Sequence, residues 1–288
     1  MAQAGTLSSE AAGRKAASSL LAVENLSKTF HTEEGALLAI DNVSLDVRQG
    51  EFVAVIGPSG CGKSTLFNII GGLVDSYDGR ILLNGEVMHG SHRTIGMVFQ
   101  EESTFPWRTT LDNVAFPLEA AGLGKAERLA RARALVKLVG LDGFENRYPA
   151  ELSGGMRQRT ALARTLAFEP KILLMDEPFA ALDEQTRLLL GDKLLLIQQQ
   201  LNQTTLLITH NIAEAVQLAD RVVVMTYRPG RVKRVVEIDL PRPRTSEILG
   251  SDQFGRYVAT IWADLREEAS KGLSESEAAV ASRPARGH

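Results

Sequence analysis

Two hydrophobic periods divide the chain. Near the N-terminus, "LLAVENLSKTF" and "LLAIDNVSLDV" alternate apolar and polar residues, the pattern of half-buried strands. "FVAVIGPSGCGKSTLFNIIGGL" sets an apolar run, a glycine-rich turn and helical spacing in succession, which predicts strand, loop and helix. "GRILLNGEVM" and "TIGMVFQ" predict two further strands, with a turn at Asn84-Gly85. From about Thr109 to Leu166 the period lengthens. There "KAERLARARALVKLVG" places Leu129, Ala132, Val136 and Val139 three and four apart, with basic residues opposite, as on an amphipathic helix.

Strand–helix alternation then returns in "KILLMDE", "LDEQTRLLLGDKLLLIQQQL", "TTLLITH", "NIAEAVQLA" and "RVVVMTY". Such alternation predicts a mostly parallel sheet covered by helices. The expected fold is therefore α/β: a phosphate-loop NTPase core with an N-terminal antiparallel β-subdomain and an inserted α-helical subdomain. A strand in "RVKRVVEIDL", ended by Pro241 and Pro243, and a helix over Ser246–Lys271 complete the ordered chain. Phe254, Tyr257 and Ile261 share one face of that helix, which packs on the parent domain or regulates a dimer. The expected boundaries are a flexible lead over 1–19, one domain over 20–245 with its insertion at about 101–166, the helix over 246–271, and a flexible tail over 272–288.

Composition narrows the class. The 288 residues are 44% hydrophobic and 23% charged, as in ordinary globular proteins. A net charge of −3 gives no basic character that argues for nucleic acid. Cys61 is the only cysteine, so a disulfide framework is excluded and a reducing, cytoplasmic compartment is expected. No apolar run reaches the roughly 18 residues that span a bilayer, so any membrane spans must come from another chain.

Chemistry concentrates at five places. Gly57, Pro58, Ser59, Gly60, Cys61, Gly62, Lys63, Ser64 and Thr65 satisfy G-x-x-x-x-G-K-[ST] between strand and helix. Backbone N–H groups there cradle phosphates, Lys63 reaches the β- and γ-phosphates, and Ser64 can ligate Mg²⁺. Cys61 reads as a small residue tolerated in that loop. "ILLMDE" ends an apolar strand in Asp176, suited to Mg²⁺, and Glu177, suited to accept a proton from water. "LLITH" ends another strand in His210, which can bond a γ-phosphate. Parallel strands deliver their C-terminal ends to one edge, so Ser64, Asp176, Glu177 and His210 are expected to converge. Gln100, ending "TIGMVFQ", offers an amide to the metal or the attacking water. A second glycine pair stands in "LSGGMRQR", where Ser153 can cap a helix whose N–H groups face an anion.

Taken in order, these motifs closely resemble the ATP-binding subunit of ABC transporters across about residues 20–240. The resemblance makes Leu152, Ser153, Gly154, Gly155 and Met156 the signature, Ala181, Leu182 and Asp183 the D-loop, Gln100 the Q-loop glutamine and His210 the switch histidine. Phe30 stands where the family has an aromatic residue that stacks on adenine; a core phenylalanine is the alternative. The resemblance implies ATP and Mg²⁺, a head-to-tail homodimer in which each signature covers the partner's ATP, and a peripheral place on the cytoplasmic face of the inner membrane. One cassette without a long heptad run sets the chain apart from soluble ABC ATPases that act without a permease.

"MVFQEESTFPWRTTLDNVAFPLE", "DEPFAALDEQTR" and "DRVVVMTYRPGRVKRVVEIDLPRPR" further resemble the nitrate, sulfonate, taurine and bicarbonate importers. That group implies a separate integral membrane permease and an extracytoplasmic solute-binding protein. Phe105 and Trp107 either line the groove for a permease helix or pack the insertion. Arg228, Arg231, Lys233 and Arg234 either approach anionic lipid or guard a solvated strand edge.

Overall fold

The computed structural model describes residues 19–33, 35–100, 103–180 and 182–281. Strands β1 (Ser19–Thr32) and β2 (Gly35–Arg48) form a long antiparallel hairpin. β3 (Phe52–Ile56) is buried at every residue and leads through the glycine-rich turn into α1 (Lys63–Ile70). β4 (Asp78–Leu83) and β5 (Glu86–Val87) turn at Asn84-Gly85, both with positive φ, and join the hairpin in the order β2-β1-β4-β5. The two positive-φ residues are what a two-residue hairpin turn demands.

β6 (Ile95–Val98) is followed by the insertion: α2 (Thr110–Ala120), α3 (Lys125–Leu138), a 3-10 turn at Pro149–Glu151 and α4 (Gly154–Leu166). Ala132, Val136 and Val139 are fully buried, and Leu129 packs partly against the same core. The chain then returns to the sheet through β7 (Ile172–Asp176), α5 (Glu184–Leu201), β8 (Thr204–Ile208), α6 (Ile212–Leu218), β9 (Arg221–Met225) and β10 (Val232–Glu237). The sheet order is β10-β9-β3-β8-β7-β6, parallel throughout except for the antiparallel edge strand β10.

Period-two alternation on β3 splits the interior. Phe52, Ala54 and Ile56 face a core shared with the helical side, and Val53 and Val55 face one shared with α1 and the N-terminal sheet. The C-terminal segment differs from its expected bounds. Ser246–Gly250 is a 3-10 turn, and α7 runs from Asp252 to Ala281, past Lys271. Phe254 and Ile261 are buried in the helical-side core, so the first half of α7 packs on the parent domain. Of the expected lead, Ser19 opens β1 and residues 1–18 lie outside the described residues, as do 282–288 of the tail and Ala181 of the D-loop. Among the described residues, no helix is long and apolar enough to cross a membrane.

Candidate functional site

The phosphate loop leaves β3 and enters α1 with Gly62 at the N-cap position, φ 97°. A Cβ on Gly62 would lie 2.8 Å from the Ala39 carbonyl oxygen of β2, so this backbone both needs the left-handed region and touches its neighbour. Gly62 has no side chain to cap α1, so no cap side chain occupies the helix's first N–H groups. Ser59, Gly60 and Ser64 are exposed at the crown, with Pro58 and Thr65 half-buried beside them. Lys63 is buried, and its ammonium donates to the carbonyls of Gly57 at 2.8 Å and Pro58 at 3.0 Å. Cys61 is fully buried; burial pushes its thiol up against the pull of Lys63, which keeps it protonated and inert.

Four predicted residues meet at the C-terminal edge of the parallel sheet. Asp176, at the end of β7, accepts a hydrogen bond from the Ser64 hydroxyl. Burial raises the Asp176 pKa and the Glu177 charge adds to this, while Ser64 and Lys63 pull it down. Its Oδ1 atom is buried and has no hydrogen-bond partner. The next residue, Glu177, has φ 45°, a left-handed conformation that costs a non-glycine residue about 1 kcal/mol or more. That turn, held by Glu177 N–H donating to the Ile208 carbonyl at 3.0 Å, swings its carboxylate out of the strand line. Glu177 Oε2 then lies 3.1 Å from His210 Nδ1. The histidine side chain is 57% exposed and the glutamate 21%, so the pair is open at the histidine end.

A network behind His210 was not legible from sequence. Thr209 donates through its hydroxyl to Glu214 at 2.8 Å and accepts from Asn211 N–H at 3.0 Å. Asn211 in turn caps α6 by accepting from Glu214 N–H at 3.1 Å. This locks the turn from which His210 projects. Glu214 is buried, and desolvation drives its carboxyl up to about 7 against the pull of Thr209, Arg187 and His210.

Two predicted residues stand at the rim. Gln100 is exposed just past β6, and the preceding Phe99 carbonyl accepts from Gln158 of α4 at 3.5 Å. Phe30 is half-buried and belongs to neither apolar core, which removes its core reading. It pairs with Leu37 on the hairpin, close to the Ala39 carbonyl that faces Gly62, and the Lys28 ammonium lies 5.0 Å from its ring centroid.

The signature opens α4 as a separate group. Ser153 is the exposed N-cap and accepts from Met156 N–H at 3.4 Å; Leu152 and Gly155 are buried, and Gly154 and Met156 half-buried. Gly155 packs against Leu182, Thr186 and Leu190 at the start of α5. Asp183 caps α5 by accepting from Thr186 N–H at 2.9 Å and the Thr186 hydroxyl at 2.7 Å. These bonds hold its carboxyl below the usual range. The signature and the described part of the D-loop, Leu182 and Asp183, are thus neighbours. Gly155 of the signature contacts α5, whereas the contacts of Gly57–Thr65 run to β2, β7 and the loop after β9.

Trp107 is 71% exposed, so it does not pack the insertion core. Phe105 lies beside it, ring centroids 5.5 Å apart, and meets Phe116 of α2 edge-on at 4.8 Å. The fully buried Asn113 fastens this turn to α2. It accepts from Phe105 N–H at 2.7 Å and donates to the carbonyls of Phe105, Arg108 and Thr109. A lone asparagine among apolar helix residues was the available signal for it.

Comparison with known proteins places this geometry. The chain matches the ABC transporter family over residues 40–180. A protein of Methanocaldococcus jannaschii described as an uncharacterized ABC transporter ATP-binding protein is 50% identical over 253 residues, covering 88% of this chain and 94% of that one. The taurine import ATP-binding protein of Rhizobium johnstonii is 44% identical over 259 residues, covering 90% of this chain and 98% of that one. The dimeric structure of a post-hydrolysis state of an ATP-binding cassette bound to ADP and Pi is similar at TM-score 0.68 and 34% identity, over 77% of this chain and 100% of that one.

Proposed function

The chain belongs to the ATP-binding proteins of ABC transporters, of the nitrate, sulfonate and taurine importer type, and from that premise we propose that it drives uptake of a small anion or organic sulfonate through a separate membrane permease. It is an ATP-hydrolysing subunit. The observation that carries the catalytic reading is the continuous line from Ser64 through Asp176 and Glu177 to His210 at one sheet edge.

Mg²⁺ fits that line. The buried, unpartnered Oδ1 of Asp176 and the Ser64 hydroxyl are hard oxygen donors, and the Gln100 amide is a third at the rim. No group of three or more His, Cys, Asp or Glu among the described residues could hold a metal alone, which suits an ion that takes much of its shell from phosphates and water. When bound, Mg²⁺ would neutralise phosphate charge.

The protein's own groups do the rest. N–H groups of Gly57–Thr65 hold the phosphates, and the Lys63 ammonium donates to their oxygens. Phe30 offers a ring face to the adenine. Glu177 Oε2 accepts a proton from the attacking water. With both ring nitrogens protonated, His210 donates through Nδ1 to that carboxylate and through Nε2 to the γ-phosphate. Gln100, at the exit of β6, senses the same phosphate.

Ser153 and the Gly154 and Gly155 backbone supply a second set of N–H dipoles, presented to the ATP of a second copy, with Leu182 and Asp183 beside them. The dimeric state of the related cassette supports this assembly. The exposed Trp107, braced by Phe105, suits a helix of the permease; an extracytoplasmic solute-binding protein supplies the cargo. The chain then sits peripherally on the cytoplasmic face of the membrane, with no nucleic-acid partner. One ATP-binding domain over about 20–245, with its insertion at about 101–166, carries all these elements.

Phosphate release by Glu177→Gln tests the catalytic assignment. Hydrolysis falls by on the order of 10³-fold while ATP binding survives. Wild-type turnover in that variant removes Glu177 from its role.

A further inference from the structure

The basic cluster after β9 runs into the edge strand β10, as its strand-edge reading requires, and each of its cations is also bonded within the chain. Arg231 bonds Asp41 of β2. Lys233 donates to Glu268 at 2.8 Å and to Glu267 at 2.5 Å, and Arg234 forms an ion pair with Asp264 at 3.1 Å, all three acids on α7. Arg228 turns the other way. Its Nε donates to the Gly60 carbonyl at 3.0 Å, in the phosphate loop 168 positions earlier.

The loop between β9 and β10 is fastened at both ends. Gly230 N–H donates to the Ala39 carbonyl, and Asp41 N–H donates to the Gly230 carbonyl, each at 3.0 Å. A Cβ on Gly230 would sit 2.0 Å from the Cys61 carbonyl oxygen, so this backbone lies directly on that of the phosphate loop and only glycine permits the approach. At the other end, Tyr227 N–H donates to Glu268 Oε2 at 2.9 Å, and Gly272 of α7 lies against the Tyr227 ring. Burial alone would raise the pKa of Glu268, but bonds from Lys233, Lys271 and Tyr227 outweigh it and hold the carboxyl down at about 2. The anchor is therefore ionised at any working pH.

We propose that residues 226–231 form a strap coupling α7 to the phosphate loop, with Arg228 as a positioning residue for nucleotide binding. This rests on Gly57–Thr65 being the nucleotide loop. The peptide after Gly60 is planar, so a guanidinium on its carbonyl fixes the direction of that stretch of loop and of the N–H groups that follow it. Glu268 fixes where the strap holds Arg228. Movement of α7, by a partner or a second copy, then changes nucleotide affinity without touching the nucleotide.

Calorimetric titration of the full chain with MgADP tests this, since ADP occupies the loop without turnover. Arg228→Met is expected to weaken binding about tenfold, with an unchanged thermal midpoint. Arg228→Lys recovers part of the loss. Glu268→Gln weakens binding about threefold alone and adds nothing to Arg228→Met, as two residues on one path require. If Arg228→Met does not fold, Arg228→Gln, which keeps a donor without charge, is read in the same way. Wild-type affinity in the Arg228 variant, or simple addition of the two losses, overturns the proposal. A Lys63→Ala control separates the premise. If it binds MgADP normally, the loop is not the nucleotide site and the strap's role falls with it. Lost binding in Lys63→Ala beside normal binding in Arg228→Met overturns the strap alone.

Discussion

The phosphate loop and the signature are both glycine-bearing starts of helices, yet the chain builds them differently. Gly57–Gly62 is enclosed by backbone: Ala39 lies against Gly62, and Gly230 against Cys61. A buried lysine and a serine–aspartate pair face the same edge. The signature has one buried glycine, Gly155, wedged on α5, and otherwise an exposed serine cap. Its cations are the guanidinium groups of Arg157 and Arg159, which donate to the Leu152 and Gly155 carbonyls from the same helix. The first region is equipped to hold a polyphosphate and act on it. The second is equipped to present N–H groups on a fixed platform. On the proposed function, a chain with both is organised for a site completed by a second copy.

The largest effect that sharpens this comparison comes from Ser153→Arg. Its side chain fills the exposed face of the signature and leaves Gly57–Thr65 untouched. Hydrolysis is expected to fall by on the order of 10²-fold or more, while MgADP titration gives wild-type affinity. Equal loss of both would make the two regions one site within a single chain.

An intermediate effect is expected at the insertion. Trp107→Glu is expected to reduce co-purification with the permease about tenfold, with hydrolysis by the isolated chain unchanged. Unfolding in that variant would return Trp107 to the core, against its exposure.

The smallest effect separates the His210 edge from the signature by pH. The protonated Glu214 carboxyl contributes stability that is fully present below its ordinary value of 4.5 and is lost as pH rises through about 7. Glu214→Gln keeps the acceptor for Thr209 and has no charge to bury. Its melting temperature is expected to gain a few degrees on wild type between pH 5 and 8. A difference independent of pH would mean that the carboxyl is not held neutral.

The phosphate-loop edge was largely legible in sequence because its parts obey local rules. Apolar runs ending in Asp176 and His210 are buried parallel strands, and such strands must deliver their ends to one edge. Asn84-Gly85 specifies its own turn. What escaped was long-range or disguised by burial. Arg228 meets Gly60 only because β9 lies beside β3, and a run of basic residues does not reveal which carboxylates will pair with it. Glu214 looks like any exposed helix carboxylate until α6, which carries it, packs against β3, α5 and α7. α7 runs past its expected end at Lys271, and Gly272 is where the helix meets Tyr227, a tertiary contact that no local pattern announces. The exposure of Trp107 rests on Asn113 gripping the turn from below, a tertiary contact without a sequence period.

On the proposed function, ATP joins the phosphate loop of one copy to the signature of another. Sedimentation of the Glu177→Gln chain with and without MgATP tests it most directly, alongside the Glu177→Gln, Ser153→Arg double variant. A dimer is expected only with MgATP and only with Ser153 in place, while the double variant binds ATP as a monomer. A nucleotide-independent dimer, or an ATP-dependent dimer that survives Ser153→Arg, would contradict it.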